Sequence, residues 1–104
     1  MKTLVALVGT KHRGPEMVAL LASLPQGEPL ALVRDRQNPF DPNAIKVIAR
    51  DQHIGFIKAS QAAKIAAKMD YDPLYANRLM GGAGGPVARL AIDGGKQPMV
   101  EIDE

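Results

Sequence analysis

Few residues in this 104-residue chain have the chemistry to act on a ligand, and most of that chemistry suits binding. There is no cysteine, which excludes disulfides, thiolate nucleophiles and every cysteine-based zinc site. The two histidines, His12 and His53, make a weak case for a metal without further ligands. No serine or histidine stands in a nucleophile motif. Asp35, Asp41 and Asp51 are scattered over different turns, with no spacing that implies the converging carboxylates of a metal-dependent nuclease. The stretches Gly81-Gly82-Ala83-Gly84-Gly85-Pro86 and Gly94-Gly95-Lys96 lack the Gly-Lys-Ser/Thr end of a phosphate-binding loop. No catalytic residue, metal or cofactor is therefore expected. What remains is a basic triplet, Lys11-His12-Arg13, and four aromatics: Phe40, Phe56, Tyr71 and Tyr75.

The elements that must position these residues are short. Residues 3–8 are an apolar run bounded by Gly9, which reads as a buried strand. Pro15 and Glu16 suit the first turn of a helix whose apolar face is Met17, Leu20, Leu21 and Leu24, stopped by Pro25 and Gly27. Residues 30–34 form a second strand, and residues 35–43 a turn-rich stretch. In residues 44–50, Ile45, Val47 and Ala49 alternate with Lys46, Ile48 and Arg50, a third strand. A turn at Asp51-Gln52 leads to a hairpin partner at 53–57. Ser60 is expected to cap a helix through Met69, with Gln61, Lys64 and Lys68 on its outer face. Asp72-Pro73 should cap a short third helix ending at Gly81, followed by a glycine-rich link. Residues 87–92 and 99–102 flank Asp93-Gly94-Gly95, a hairpin turn. The expectation is one domain, mainly β with helices (α+β): a small barrel of about six strands with two or three short helices. Strand-rich barrels of this size often bind oligonucleotides.

Net charge is +2; setting aside Glu101, Asp103 and Glu104 leaves thirteen basic against eight acidic residues, +5 for the body. That balance is compatible with a polyanionic partner. No apolar run approaches the roughly 18 residues of a membrane span. The opening run meets Lys11-His12-Arg13 with no small-residue cleavage site, so a first strand is favoured over a signal peptide and a cytoplasmic location is expected.

The most informative segment is Leu32-Val33-Arg34-Asp35-Arg36-Gln37-Asn38-Pro39-Phe40-Asp41-Pro42-Asn43-Ala44-Ile45-Lys46-Val47. It resembles the signature of HIRAN domains: a strand ending in arginine, an Asn-Pro-aromatic-Asp turn, then Asn-Ala-Ile-x-Val. Leu7-Val8-Gly9 is similar to the family's first-strand motif, and His53-Ile54-Gly55-Phe56-Ile57-Lys58 to its glycine-centred strand. The resemblance covers residues 3–70 and implies a modified OB-like barrel that binds single-stranded DNA or DNA ends without catalysis. HIRAN domains also occur fused to SWI2/SNF2 helicases and nucleases, which implies a helicase or nuclease as partner and DNA repair among the settings. In end-binding relatives the motif aromatic stacks on a terminal base, its neighbouring Asp accepts from the 3′-hydroxyl, and residues after the first strand contact the backbone. Those positions are Phe40, Asp41, Lys11 and His12 here, with Arg13, Phe56 and Lys58 completing the expected nucleic-acid-binding set. Phe40 replaces the common tyrosine, Phe56 a histidine and Ala59 a lysine, while Lys11 and His12 replace an arginine and a tyrosine.

General physics agrees with these roles. A base stacked on an aromatic ring contributes about 1–3 kcal/mol. Lys11, His12 and Arg13 can meet phosphates, a salt-sensitive interaction. An aspartate beside a phosphate chain makes sense mainly where it meets a hydroxyl donor. Structural roles stand beside the functional ones: Phe40 packing on the barrel, Asp41 and Asn43 shaping the turn, Phe56 in the core, the basic triplet a solvated loop, Lys58, Lys64 and Lys68 a solvated helix face, and His53 at a hairpin edge without a partner. The competing function is a protein-interaction or regulatory module that presents a strand edge. Oligomeric state is open.

Overall fold

A computed structural model describes residues 1–82, 84–85, 87–91 and 97–103. Six strands form a closed barrel in the order β1-β4-β3-β2-β5-β6, all neighbours antiparallel. They are β1 (Lys2–Val8), β2 (Pro29–Arg34), β3 (Ile45–Ala49), β4 (Gln52–Ile57), β5 (Ala88–Leu90) and β6 (Met99–Asp103). Three α-helices are present among the described residues: α1 (Pro15–Ser23), α2 (Ala59–Tyr71) and α3 (Pro73–Leu79). No helix among the described residues is long and apolar enough to cross a membrane.

The alternating pattern builds the interior. Ile45, Val47 and Ala49 of β3 point inward and are buried, while Lys46 and Ile48 between them are half-buried on the outer face. Val5, Leu7, Leu30, Leu32, Ile54, Ile57, Ala88, Leu90, Val100 and Ile102 complete the barrel's share of the core. The helices add their apolar faces to the same cluster: Leu21 from α1, Ala62, Ile65, Ala66 and Met69 from α2, and Tyr75 and Leu79 from α3. No polar side chain is buried among the described residues, so burial of aliphatic surface drives the fold, at roughly 25 cal/mol per Å².

β1 changes partner along its length. Lys2 to Ala6 pair with β6, then Leu7 and Val8 pair with Ile57 and Phe56 of β4. At the change-over the Ala6 amide donates to Gln61 Oε1 at 2.8 Å, and the Ala6 carbonyl accepts from the Lys58 amide at 2.9 Å. Gln61 thus faces the barrel and serves as a ladder partner, a correction to its expected place on the outer face of the helix. The same geometry moves the start of α2. The Lys58 carbonyl accepts from the Gln61 and Ala62 amides, so Lys58 is the N-cap residue, and Ser60 lies within the first turn. The helix also continues two residues beyond Met69, to Tyr71.

Further expectations shift by a residue or two. The β3–β4 turn is Arg50-Asp51, not Asp51-Gln52, because Ala49 pairs directly with Gln52. Both turn residues adopt positive φ, 49° and 65°, the left-handed pair that matches strand twist in a two-residue hairpin. Asp72 caps α3 as expected, accepting from the Leu74 amide at 3.1 Å and the Tyr75 amide at 3.2 Å, but that helix ends at Leu79. β5 and β6 pair as the expected hairpin strands, with β5 confined to three residues. The expected turn at residues 93–95 lies outside the described residues. Closure of the barrel leaves a strand-adding partner only the short stretches of edge that the staggered pairing exposes.

Candidate nucleic-acid interface

Residues 35–43 leave the barrel between β2 and β3. The Asp35 amide donates to the Ala44 carbonyl at 2.9 Å, closing the base of the loop. Two prolines deprive the segment of donors, and the Asn38 side chain takes up two of the amides that remain. Its Oδ1 accepts from Phe40 N at 2.9 Å and Asp41 N at 3.0 Å, while its Nδ2 donates to Asp35 Oδ2 at 3.2 Å. Asp41 Oδ1 accepts from Asn43 N at 2.9 Å, the Asx turn expected of it. The consequence is a fixed backbone with the Phe40 ring held out in solvent, 94% exposed. Phe40 does not pack onto the barrel. Asp35 and Asp41 open separate turns of this one loop, their carbonyls accepting from the Asn38 and Ala44 amides, and Asp51 lies apart on the β3–β4 turn.

Arg34 braces the loop. Its side chain is only 9% exposed; Nη1 donates to the Ala44 carbonyl at 2.9 Å and Nη2 to the Pro42 carbonyl at 3.1 Å. The same guanidinium reaches the last turn of α2, with Nε and Nη2 each 3.1 Å from an oxygen of Asp70. Arg36 adds a second contact to Asp70 at 2.7 Å. The hydrogen bond from Arg34 holds the Asp70 carboxyl below its ordinary pKa of 3.8. Residue-by-residue reading of the sequence gave Arg34 no role beyond its place in the motif and missed Asp70 altogether. The signal for Arg34 is a charged side chain closing an apolar strand; Asp70, thirty-six positions away, has none.

The second part of the surface is the outer face of β4 and its neighbours. Val8, Phe56, Lys46 and Val33 form a cross-strand row over β1, β4, β3 and β2, each half-buried. Phe56 is therefore on the outer face and not in the core. Its ring meets His53 edge-on, with centroids 4.8 Å apart. His53 has partners after all: Nε2 lies 2.9 Å from the Gly55 carbonyl, and its own carbonyl accepts from Arg13 Nε at 3.2 Å. Burial first, then the positive charges of Arg13 and Lys46, hold the His53 pKa below 6.5. Arg13 and Lys46 thus set positive charge beside this face, with Asp35 opposing them.

Lys11, His12 and Arg13 form a single 3-10 turn, Thr10–Arg13, in place of an irregular loop, and all three are exposed. Arg13 turns toward β4. Lys11 and His12 border a separate groove of about 360 Å³, floored by Leu7, Val18, Leu21 and Pro98. Gly9 and Gly14, at φ 82° and 105°, let the chain enter and leave this turn. Lys58 is exposed at the start of α2, two residues after Phe56. The structure thus joins Arg13 to Phe56 through His53, and Phe40 to Asp41 through Asn38. Among the described residues no hydrogen bond links the Phe40 loop to the 3-10 turn.

The fold has solved counterparts. The crystal structure of the HIRAN domain of human HLTF superposes with a TM-score of 0.64 at 20% identity, covering 97% of this chain and 74% of that one. A Lactobacillus plantarum protein superposes at 0.63 with 22% identity, covering 99% of this chain and all of the other. No curated protein matches the chain significantly. The family profile of the HIRAN domain matches residues 2–78, a span that runs from β1 through the braced loop and α2 into α3. Sequence match and barrel agree: this chain belongs to the HIRAN domain family.

Proposed function

We propose that this domain is a non-enzymatic module that binds single-stranded DNA at exposed 3′ ends. The observation that carries the reading is Phe40, a large aromatic held almost wholly in solvent on a loop fixed by Asn38 and Arg34. Leaving a phenylalanine exposed forgoes about 1.5–3 kcal/mol of burial. A stacked base recovers energy of that order without demanding a particular sequence. Asp41 follows directly on the chain. Its Oδ1 is engaged by the Asn43 amide, which orients the carboxylate, and a 3′-hydroxyl is the donor that makes an acid tolerable beside a phosphate chain.

The electrostatics support the same reading. Arg13 and Lys46 place positive charge beside the outer face at Phe56 and His53, and Lys11, His12 and Lys58 are exposed nearby in sequence. Phosphates following the terminal nucleotide would be drawn to this side, and affinity would fall with salt. The resemblance to end-binding HIRAN domains puts their base-stacking aromatic and hydroxyl-binding acid at Phe40 and Asp41. A helicase or nuclease working on the same end, in the cytoplasm, is the partner class this reading implies.

The test is fluorescence anisotropy on paired ten-nucleotide strands, one ending in a 3′-hydroxyl and its twin in a 3′-phosphate, at low and moderate salt. The expected result is tighter binding to the hydroxyl end, with the preference lost in Asp41→Ala and affinity lost in Phe40→Ala. Equal binding to both ends, unaffected by either substitution, would overturn the pocket.

A further inference from the structure

Two of the four aromatic residues, Phe40 at 94% and Tyr71 at 87%, are almost fully exposed, and one ion cluster connects them. Arg34 Nη2 bonds the Pro42 carbonyl and Asp70 Oδ2 from a single nitrogen. Phe40 is two residues from Pro42, and Tyr71 is the residue after Asp70, the last of α2. With consecutive Cα atoms about 3.8 Å apart, the backbones of both aromatics are tethered within a short reach of the same guanidinium. Leu74, 77% exposed at the start of α3, extends the apolar surface on the Tyr71 side.

We infer that the bound strand runs from Phe40 over the Arg34–Asp70–Arg36 cluster to Tyr71, which stacks a second, internal base. This rests on the reading of Phe40 as the site of the terminal base. An exposed arginine favours a nucleic acid as occupant. Asp70 is matched by two guanidinium groups, the Arg36 side chain remains 62% exposed to meet a phosphate, and the Asp35 and Asp41 carboxylates of the loop are engaged by Asn38 Nδ2 and the Asn43 amide. The nearby Asp72 carboxylate is turned into α3, capping the Leu74 and Tyr75 amides. Alternating aromatic platforms and exposed arginine are the combination that holds single strands without base readout.

The experiment compares a trinucleotide with a ten-nucleotide oligothymidylate, each with a free 3′-hydroxyl, on the full chain and on Tyr71→Ala, Tyr71→Phe and Phe40→Ala. Tyr71 is a surface residue at a helix end, so its substitution leaves the core intact. Expected is a loss of about fivefold or more for Tyr71→Ala on the long strand, with no change on the trinucleotide. Tyr71→Phe should bind both strands as the parent does. If Tyr71→Ala binds the long strand like the parent while Phe40→Ala is weakened, this inference fails and the pocket stands. A Tyr71→Ala loss on both lengths overturns a separate internal site. If the parent ignores both strands, both readings fall and the Phe40–Tyr71–Leu74 surface passes to a protein partner.

Discussion

Arg34 is where the fold and the proposed site meet, and comparing its replacement with that of Asp70 should separate their contributions. Its nearly buried guanidinium ties two carbonyls of the loop, Ala44 and Pro42, and two oxygens of Asp70 on α2. Hydrogen bonds to a charged group contribute about 1.5–3 kcal/mol each, with the lower end fitting the exposed Pro42 contact. Asp70 is at the surface and keeps Arg36 as a partner, so that ion pair adds little. Arg34→Ala should therefore cost about 3–4 kcal/mol, a fall in Tm of roughly 12–32 °C for a domain of this size. Arg34→Lys keeps the charge but has no fork to span loop and helix, so it should lose most of the same stability. Asp70→Asn leaves the two carbonyl bonds in place, so it should hold stability near that of the parent while freeing the loop from α2. Thermal unfolding followed by circular dichroism reads the first effect. Anisotropy on a single strand reads the second, because a loosened loop must be ordered again when Phe40 stacks. A lysine variant that melts and binds like the parent would refute the brace.

Three further outcomes follow from local geometry. A Cβ on Gly55 would lie 2.7 Å from the Val8 carbonyl oxygen and 2.9 Å from Leu7 Cδ2, so Gly55→Ala should lower the urea midpoint by an amount equivalent to about 1–3 kcal/mol, with the slope unchanged. Asp51 holds a φ of 65° in the β3–β4 turn, and Asp51→Gly should stabilise the domain by about 0.5–1 kcal/mol, seen as a Tm higher by a few degrees. His53 should titrate below 6.5 in the folded protein, since burial and the charges of Arg13 and Lys46 disfavour its protonated form. A group depressed in this way contributes stability that is present above its unfolded pKa and is lost as pH falls through the folded value. An NMR titration of the imidazole with a midpoint at or above 6.5 would contradict this.

The parts of this molecule that were legible in advance are those governed by periodicity and local chemistry. Ile45, Val47 and Ala49 announce the inner face of β3 by alternation, and Asp72-Pro73 announces the start of α3 by capping. The long Asn-Pro-Phe-Asp segment announces its loop because prolines and Asx turns act within a few residues. What was not legible depends on contacts far apart in the chain. Ser60 is a better cap than Lys58 by residue type, but the Lys58 amide is committed to the Ala6 carbonyl of β1, and that bond sets where the helix begins. Gln61 sits among lysines in the sequence and still turns inward, because β1 changes partners at Ala6 and leaves an amide to satisfy. Phe56 sits among the apolar residues of β4, whose Ile54 and Ile57 are both buried, and nothing local marks it as the one that faces out. The irregularity between Val47 and Ile48 in the β3–β4 register lies beside that stretch. For the candidate site, residue types and the family motif pointed to Phe40, Asp41 and the basic turn. The brace from Arg34 to Asp70 required the fold.

That brace also explains how a thin aliphatic barrel can carry an ordered loop on which recognition is proposed. The core is closed on itself by paired strands and needs nothing from residues 35–43 for its burial. A loop so independent would ordinarily be mobile. Here the order comes from polar contacts at its two ends: Asn38 gathers the amides at the tip, and Arg34 fastens the return to a helix on the other side of the strand. Stability and the proposed recognition are thereby held by different forces. Substitutions in the loop tip should alter binding with little effect on unfolding, and substitutions in the aliphatic interior should do the reverse. Arg34 belongs to both sets, so losses in binding and in stability should coincide there.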